Sequence, residues 1–247
     1  MAVESILKKV REGKMSVKEA GRVIRADSIR KVGGFARIDI GRDVRAGIPE
    51  VILAEGKTPE QVVRIVERLK DRNVLISRVN EEHLKILRKK FKGLRYNKFA
   101  KAVAIVKNKT EKTGRVAVMT AGTSDIPVAE EAAFVAEMMG CEVERVYDVG
   151  VAGVHRVFAP LKKIVKSGVD VIVVVAGREG TLPSIVAGLV DIPVIGVPTS
   201  SGYGYGGKGE AALKSMLQSC SFLTVVNIDN GVGAGACASL IARRAND

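Results

Sequence analysis

Short apolar segments alternate with amphipathic segments from about residue 115 to the end of the chain. Apolar strands are predicted at residues 116–119, 142–147, 171–175, 192–197 and 222–228. Helices are predicted after them, at residues 127–139, 154–166, 183–189, 210–217 and 236–242. Continuous apolar strands that alternate with helices are typical of a buried parallel sheet. We therefore predict an α/β domain over residues 113–247, with a five-stranded parallel sheet and helices on both faces.

The first 112 residues are less regular and predict a smaller α+β domain. The first forty residues have apolar positions at helical spacing, and a loop-rich segment follows at 36–50. Further strands are predicted at 51–54, 74–79 and 96–106, and further helices from 58 and over 81–91. The polar residues 107–113 are the predicted linker between the domains.

Charge separates the same two parts. Residues 1–110 hold 28 Lys and Arg against 13 Asp and Glu, whereas residues 111–247 hold 12 against 14. A basic domain can bind nucleic acid, but these charges lie among acidic neighbours, with few aromatic residues and no recognised motif. We expect no nucleic-acid partner, and interpret the charge as a solvated face or as attraction for an anionic nucleotide.

The chain contains no apolar run near the roughly 20 residues that span a membrane. It begins without a basic segment followed by an apolar one, so no secretion signal is expected. The three cysteines, Cys141, Cys220 and Cys237, have no metal-ligand spacing and suit a reducing compartment. We therefore expect a cytoplasmic protein without a membrane partner or a metal site.

The candidate chemistry lies in the five loops that follow the predicted strands. Ligands of parallel α/β sheets bind beyond the carboxyl ends of the strands. These loops are rich in glycine, hydroxyl and carboxylate groups, at residues 120–125, 148–156, 176–183, 198–208 and 227–235. Their composition predicts a binding site along that edge, which we call the carboxyl edge.

The first of these loops contains Gly122, Ser124 and Asp125 before a helix start. Exposed N–H groups there favour an anion, and a glycine lets a phosphate or ribose approach the backbone. An ordinary helix N-cap explains Ser124 and Asp125 equally well. The spacing does not separate these two interpretations.

Charged residues in the next two loops are the other candidates. His155 begins a helix beside Arg156, and a purely structural histidine is the alternative. Arg156 and Arg178 can hold a carboxylate or phosphate through a planar fork. Glu179 is a candidate base, although most glutamates in such loops are only solvated. His83 is predicted to be a surface residue.

The last two loops and the cysteines leave alternatives open. Residues 200–208 have the composition of a mobile lid or of a flexible linker. Cys220 lies between the fourth helix and the fifth strand, where a buried filler is commoner than a nucleophile. Cys141 and Cys237 are expected to be structural.

These motifs together resemble those of the pyridinium biscarboxylic acid mononucleotide synthase (LarB) family. The resemblance extends over nearly the whole chain, including residues 37–57. The carboxyl-terminal half is similar, more distantly, to the aminoimidazole ribonucleotide carboxylases and mutases (PurE), which implies a flavodoxin-like, PurE-like sheet. The segments that carry the resemblance are residues 122–132, 148–156, 179–184, 197–200, 219–220 and 226–231.

The resemblance implies carboxylation of the pyridinium ring of nicotinic acid adenine dinucleotide and hydrolysis of its phosphoanhydride. The products would be the biscarboxylated mononucleotide and AMP. Carbon dioxide or bicarbonate would be the co-substrate, with no tightly bound cofactor and with a magnesium requirement left open. Both families also imply that copies of the chain assemble into a homo-octamer.

The same resemblance suggests residue roles. Cys220 matches the thiol that adds to the ring, and Glu179 matches the proton-abstracting carboxylate. Asp148, with Ser124 and Asp125, would serve ribose, phosphate or water. The remaining nucleotide contacts are expected from the other loop residues, namely Gly122, His155, Arg156, Arg178, Thr199 and Ser200.

Two other functions remain open from the sequence. A purine-pathway carboxylase or mutase would need no thiol and only the α/β domain. A non-catalytic nucleotide-binding module would bind adenine nucleotides without turnover.

Overall fold

The computed structural model describes residues 3–26, 29–39, 41–42, 46–69, 71–108, 110–112 and 114–246. The predicted loop 36–50 and the predicted linker 107–113 lie partly outside these ranges, as do the ends of the chain.

The carboxyl-terminal domain is the five-stranded parallel sheet that the apolar segments predict. Its strands are β7 (Arg115–Thr120), β8 (Glu142–Val146), β9 (Val171–Ala176), β10 (Val194–Pro198) and β11 (Thr224–Val225). Its helices are α5 (Ile126–Met138), α6 (His155–Ser167), α7 (Leu182–Ala187), α8 (Glu210–Leu217) and α9 (Gly231–Asn246). The strand order is β11-β10-β9-β7-β8, and every neighbouring pair is parallel.

Both faces of this sheet are covered. Val116, Val118 and Val173 face one apolar core with the alanines of α5 and α9. Ala117, Met119 and Ile172 face a second core with residues of α6, α7 and α8. Strands buried on both faces cannot alternate apolar with polar residues, which explains their continuous apolar sequence.

The last strand is shorter than the sequence predicts. Residues 222–228 are apolar enough for a seven-residue strand, but only Thr224 and Val225 pair with β10. β11 is the edge of the sheet, so it has one neighbour only, and Phe222 lies outside the paired segment.

The amino-terminal domain is an α+β unit. It contains α1 (Val3–Arg11), α2 (Val17–Ala26), β1 (Ile29–Val32), β2 (Ala36–Asp39), β3 (Glu50–Leu53), α3 (Pro59–Arg68), β4 (Val74–Ser77), α4 (Glu81–Lys90), β5 (Leu94–Asn97) and β6 (Ala102–Ile105). Strands β1 and β2 form a hairpin, and the other four form a mixed sheet in the order β3-β4-β6-β5.

Three predictions for this domain are wrong. The first forty residues are not all helix, because Gly33, with φ +54°, turns the chain into the β1–β2 hairpin. Residues 96–106 are not one strand, because the side chain of Asn97 accepts the N–H groups of Phe99 and Ala100 and forms a turn. His83 is not a surface residue.

His83 is 4% exposed and belongs to the start of α4. Its Nδ1 accepts the N–H of Asn80 (3.3 Å), and its Nε2 lies 2.9 Å from the carbonyl of Lys57. The ring therefore completes a capping box and ties α4 to the loop after β3. Charged neighbours in the sequence concealed this inward position.

No helix among the described residues is long and apolar enough to cross a membrane.

Candidate functional site

The carboxyl edge has its topological switch between β7 and β9. From β7 the chain continues to β8 on one side, and then crosses to β9 on the other. The loops after β7 and β9 therefore leave the sheet in opposite directions and open a crevice between them, where ligands of such sheets bind. The loop after β10 lies next to this crevice.

Asp125 joins the loops after β7 and β10. Its Oδ1 accepts the hydroxyl groups of Thr199 (2.7 Å) and Ser201 (2.9 Å), which lie 2.8 Å apart. Its Oδ2 accepts the N–H of Gly122 at 2.9 Å. The carboxylate is 4% exposed. A buried charge of this kind is stable only because donors surround it, so its position is fixed before any ligand arrives.

Asp125 joins loops rather than capping the helix that follows it. It is the residue before α5 but makes no side-chain bond to that helix, and its bond to the N–H of Gly122 closes the short 3-10 turn instead. An anion site at these N–H groups stays a prediction. Ser124 lies beside it on a short 3-10 turn and is exposed to solvent. Ser201 was missed by sequence reasoning, although its i, i+2 spacing from Thr199 was a usable signal.

Gly177, directly after β9, completes the convergence of the three loops. A Cβ at this position would collide with Ser201 Oγ, lie 2.7 Å from Thr199 Oγ1 and lie 3.3 Å from Asp125 Oδ1. Only glycine fits against this cluster. We call Asp125, Gly177, Thr199 and Ser201 the central cluster.

Strained backbone is concentrated along the same edge. Asp148, Arg178, Lys208 and Asp229 have φ between +49° and +58°, and they follow β8, β9, β10 and β11 respectively. Such conformations cost non-glycine residues about 1 kcal/mol or more each and are concentrated at functional sites. Their distribution over four different loops supports a site on this edge.

Arg156 is bonded to the loop that precedes it. Its Nη1 donates to the carbonyl of Asp148 (3.0 Å) and lies 3.3 Å from Asp148 Oδ2, while Nη2 is 3.5 Å from the carbonyl of Gly150. Both side chains of the ion pair are largely exposed. Because solvent already weakens the pair, an anionic ligand could replace the carboxylate at small cost. His155 is exposed beside it, where a ligand can reach its ring.

Arg178 and Glu179 are both exposed in the loop after β9. The guanidinium of Arg178 lies over the ring of Tyr203, 4.5 Å from its centroid. Gly202 packs against the backbone of Arg178, where a Cβ would come within 3.1 Å of the nitrogen. The segment 202–203 therefore packs against the loop that carries Glu179.

Ser200 connects the loops after β10 and β11. Its N–H donates to Asp229 Oδ1 (2.9 Å), and the N–H of Asp229 donates to the carbonyl of Pro198 (2.9 Å). The side chain of Ser200 is exposed. In this loop Thr199 is therefore buried and bonded to Asp125, whereas the next residue, Ser200, is exposed on the open face.

Cys220 is not brought to this edge within the chain. It precedes β11, whose Thr224 is in register with Ile195 near the start of β10, so it lies toward the amino ends of the strands. The next residue, Ser221, donates its hydroxyl to the carbonyl of Ser184 in α7 (2.8 Å). The thiol is exposed, so the buried-filler interpretation of Cys220 is wrong.

Large apolar side chains are exposed around Cys220. Phe222 is 99% exposed and Leu217 is 65% exposed. Cys141 is buried in the core beneath α5, as expected of a structural residue, and Cys237 is half-buried in α9.

Among the described residues, no group of three or more His, Cys, Asp or Glu side chains is arranged to hold a metal ion.

Family comparisons match both domains. Residues 29–108 match the LarB/PurE-like N-terminal domain, and residues 115–247 match AIR carboxylase. An uncharacterized protein of Methanocaldococcus jannaschii is 42% identical over 98% of this chain and 97% of its own length. The N5-carboxyaminoimidazole ribonucleotide mutase of Pyrococcus horikoshii is 34% identical over 54% of this chain and 75% of its own length.

A solved structure, that of Treponema denticola PurE, covers 53% of this chain and 90% of its own, with 19% identity and a TM-score of 0.40. The two family models together cover most of the sequence, and they support a carboxylase- or mutase-type enzyme. The chain therefore belongs to the LarB family, with a LarB/PurE-like amino-terminal domain and a PurE-like carboxyl-terminal domain.

Proposed function

We propose that this protein carboxylates the pyridinium ring of nicotinic acid adenine dinucleotide and hydrolyses its phosphoanhydride. The products are pyridinium-3,5-biscarboxylic acid mononucleotide and AMP. The observation that carries the proposal is the pairing of the two family domains in one chain, because an aminoimidazole ribonucleotide enzyme needs only the second.

The carboxylation step requires a nucleophile before it can begin. A pyridinium ring is electron-poor and does not attack carbon dioxide. When the Cys220 thiolate forms a bond to a ring carbon, the ring becomes a neutral enamine and its neighbouring carbon is nucleophilic. That carbon forms the new bond to carbon dioxide. Glu179 then removes the proton from the same carbon, the carbon–sulfur bond breaks, and its electron pair returns to the thiolate.

Binding groups for the rest of the substrate lie on the carboxyl edge. The central cluster and Gly122 offer fixed acceptors and a close backbone approach for a ribose. Arg156 and Arg178 offer planar forks for the two phosphates, and His155 lies beside the first. Asp148 is the candidate base for the water that attacks phosphorus, since it is exposed and lies 3.3 Å from Arg156, the proposed phosphate ligand.

The separation of Cys220 from Glu179 supports a homo-oligomeric enzyme. In one chain the thiol lies toward the opposite edge of the sheet, so the Cys220 that meets Glu179 would come from a neighbouring copy. The exposed Phe222 and Leu217 beside Cys220 are the surface that such a copy would cover. A homo-octamer, as implied by the resemblance, is the proposed assembly.

The test is a product analysis with labelled co-substrate. Purified protein, nicotinic acid adenine dinucleotide and ¹³C-labelled bicarbonate should give AMP and a mononucleotide with one additional labelled carboxylate. Glu179→Gln should abolish the labelled product, whereas Glu210→Gln, a surface carboxylate paired with Lys214, should retain it. Folded protein that forms neither product would refute the proposal.

A second candidate is N5-carboxyaminoimidazole ribonucleotide mutase activity, which the Pyrococcus horikoshii relative favours. Turnover of that nucleotide by this protein, without turnover of the dinucleotide, would select this second function.

A further inference from the structure

The amino-terminal domain packs directly on α5, the helix that follows the first loop of the carboxyl edge. Apolar residues of both domains form one buried cluster, which includes Leu75 and Ala102 from the amino-terminal sheet and Phe134 and Met138 from α5. Because close apolar packing of this kind holds the two surfaces in one arrangement, polar side chains at the same interface have fixed partners.

Asn97, the last residue of β5, contacts both domains. Its Oδ1 accepts the N–H groups of Phe99 (3.0 Å) and Ala100 (3.1 Å) in its own domain. Because these two bonds fix which end of the amide is the oxygen, the Nδ2 group is free to donate elsewhere. It donates to Glu130 Oε2 in α5. One side chain therefore joins the turn between β5 and β6 to the carboxyl-terminal domain.

Glu130 accepts hydrogen bonds from three side chains. It is 8% exposed, and its second oxygen, Oε1, accepts the hydroxyl of Tyr147 and the Nε–H of Arg145 (3.0 Å). Burial by itself raises the pKa of Glu130, but the Tyr147 hydroxyl, the Asn97 amide and the charge of Arg145 together lower that pKa below 4.5. The carboxyl group is therefore ionised at neutral pH, and all three donors are bonded to a charged acceptor.

Tyr147 connects this buried carboxylate to the candidate site. It directly follows β8 and precedes Asp148, whose φ is +58°. The N–H of Asp148 donates to Thr120 Oγ1 (3.0 Å), and the N–H of Val149 donates to the Thr120 carbonyl (3.0 Å). The carbonyl of Asp148 accepts Nη1 of Arg156 at 3.0 Å. Because a non-glycine residue is strained in this conformation, the contacts on either side must hold the turn.

We propose that Tyr147 is a positioning residue for Asp148. Its hydroxyl holds the end of β8 against α5, and Glu130, which accepts that hydroxyl, is itself held by Asn97 from the amino-terminal domain. The basic domain thus contributes to the site without any contact with substrate. This deepens, and rests on, the proposed function, since Asp148 acts as a base only if the phosphoanhydride is hydrolysed at this edge.

The first test exchanges the amide and the carboxylate across the interface. Asn97→Asp keeps the acceptor for the turn but places a second carboxylate against Glu130, whereas Glu130→Gln places a second amide against Asn97. Each single variant therefore replaces a hydrogen bond by a repulsive contact. In the double variant Asn97→Asp/Glu130→Gln, the amide at position 130 donates to the carboxylate at position 97, and its oxygen still accepts from Tyr147. The double variant thus restores the bonds that each single variant breaks.

Hydrogen exchange measured by mass spectrometry reports on the turn at Asp148 without any assumption about activity. Asn97→Asp and Tyr147→Phe should each accelerate exchange of the amides at residues 148–149 about tenfold, corresponding to roughly 1.4 kcal/mol. The double variant should return these amides to near the unmodified rate. Tyr96→Phe is the matched control and should leave them unchanged, because that ring packs in the core of the amino-terminal domain. Unchanged exchange in Tyr147→Phe, or no recovery in the double variant, would overturn the proposal.

Product analysis then separates positioning from a general loss of fold. Asp148 is proposed for hydrolysis, whereas carboxylation is assigned to Cys220 and Glu179. In a single turnover with nicotinic acid adenine dinucleotide and ¹³C-labelled bicarbonate, Tyr147→Phe should slow AMP formation about tenfold and leave uptake of the label at the unmodified rate. Partial unfolding would slow both, so equal slowing of the two products, or an equal effect in Tyr96→Phe, would contradict the positioning role. If the unmodified protein shows no turnover at all, the proposed function fails, and the exchange result still decides whether Tyr147 holds the turn.

Discussion

Replacing Glu131 by glutamine removes a buried carboxyl group while keeping its shape and its acceptor oxygen. Glu131 is 7% exposed, and burial is the main cause that raises its pKa from 4.5 to about 7. The charge of Asp229 raises the pKa further, and the charge of Arg78 and the N–H groups of Val232 and Gly231 oppose the increase. The folded protein therefore holds a proton on Glu131 that the unfolded chain has already released.

The sign of the effect on stability follows from this difference. Between pH 4.5 and about 7, the folded state binds more protons than the unfolded state, so stability falls as the pH rises. The free energy of unfolding lost over this interval amounts to about 3 kcal/mol by pH 8, at about 1.4 kcal/mol per pH unit. Glu131→Gln lacks this titration, so its stability relative to the unmodified protein should improve by up to about 3 kcal/mol between pH 5 and pH 8.

The assay is urea unfolding followed by circular dichroism at several pH values, with the two proteins compared at each. Arg78→Gln is the matched variant: loss of the opposing cation raises the folded-state pKa of Glu131, so the fall in stability should start at the same pH and extend to a higher one. A difference between Glu131→Gln and the unmodified protein that stays constant from pH 5 to pH 8 would refute the buried, proton-holding carboxyl group.

Three further substitutions test other parts of the site. Asp125→Asn keeps the size of the side chain but replaces one acceptor oxygen by a donor amide. Because one charge-assisted hydrogen bond is lost, kcat/KM should fall at least tenfold. An unchanged kcat/KM would contradict the role of the central cluster. Tyr203→Ala removes a cation–π contact of about 1 kcal/mol over Arg178, so KM should rise about fivefold, whereas Tyr205→Ala, at a fully exposed neighbour, should not change it. Phe222→Asp should dissociate the proposed oligomer in analytical ultracentrifugation, and an unchanged mass would place the interface elsewhere.

The parallel sheet could be predicted because its physical cause is local. Strands buried on both faces, such as β9, must be apolar at every position, and this leaves a direct trace in the sequence. The amino-terminal domain left weaker traces. The turn between β5 and β6 depends on hydrogen bonds from the side chain of Asn97, which a periodicity argument cannot detect.

The sequence predicted which loops carry the candidate site, but not which side chains in those loops contact one another. A rule about parallel sheets placed Asp125 and Thr199 on one edge, although 74 residues separate them in sequence. The hydrogen bonds that join them, and the participation of Ser201, required the structure. The location of Cys220 away from Glu179 was implicit in its place before β11, but resemblance alone assigned both residues to one site.

The central claim is that a sulfur atom activates the ring, and single-turnover kinetics of paired cysteine variants tests it most directly. With nicotinic acid adenine dinucleotide and saturating carbon dioxide, Cys220→Ala should form no carboxylated product, while Cys237→Ala, at a half-buried helix position, should keep the unmodified rate. Carboxylated product from Cys220→Ala at the rate of the unmodified protein would contradict the account.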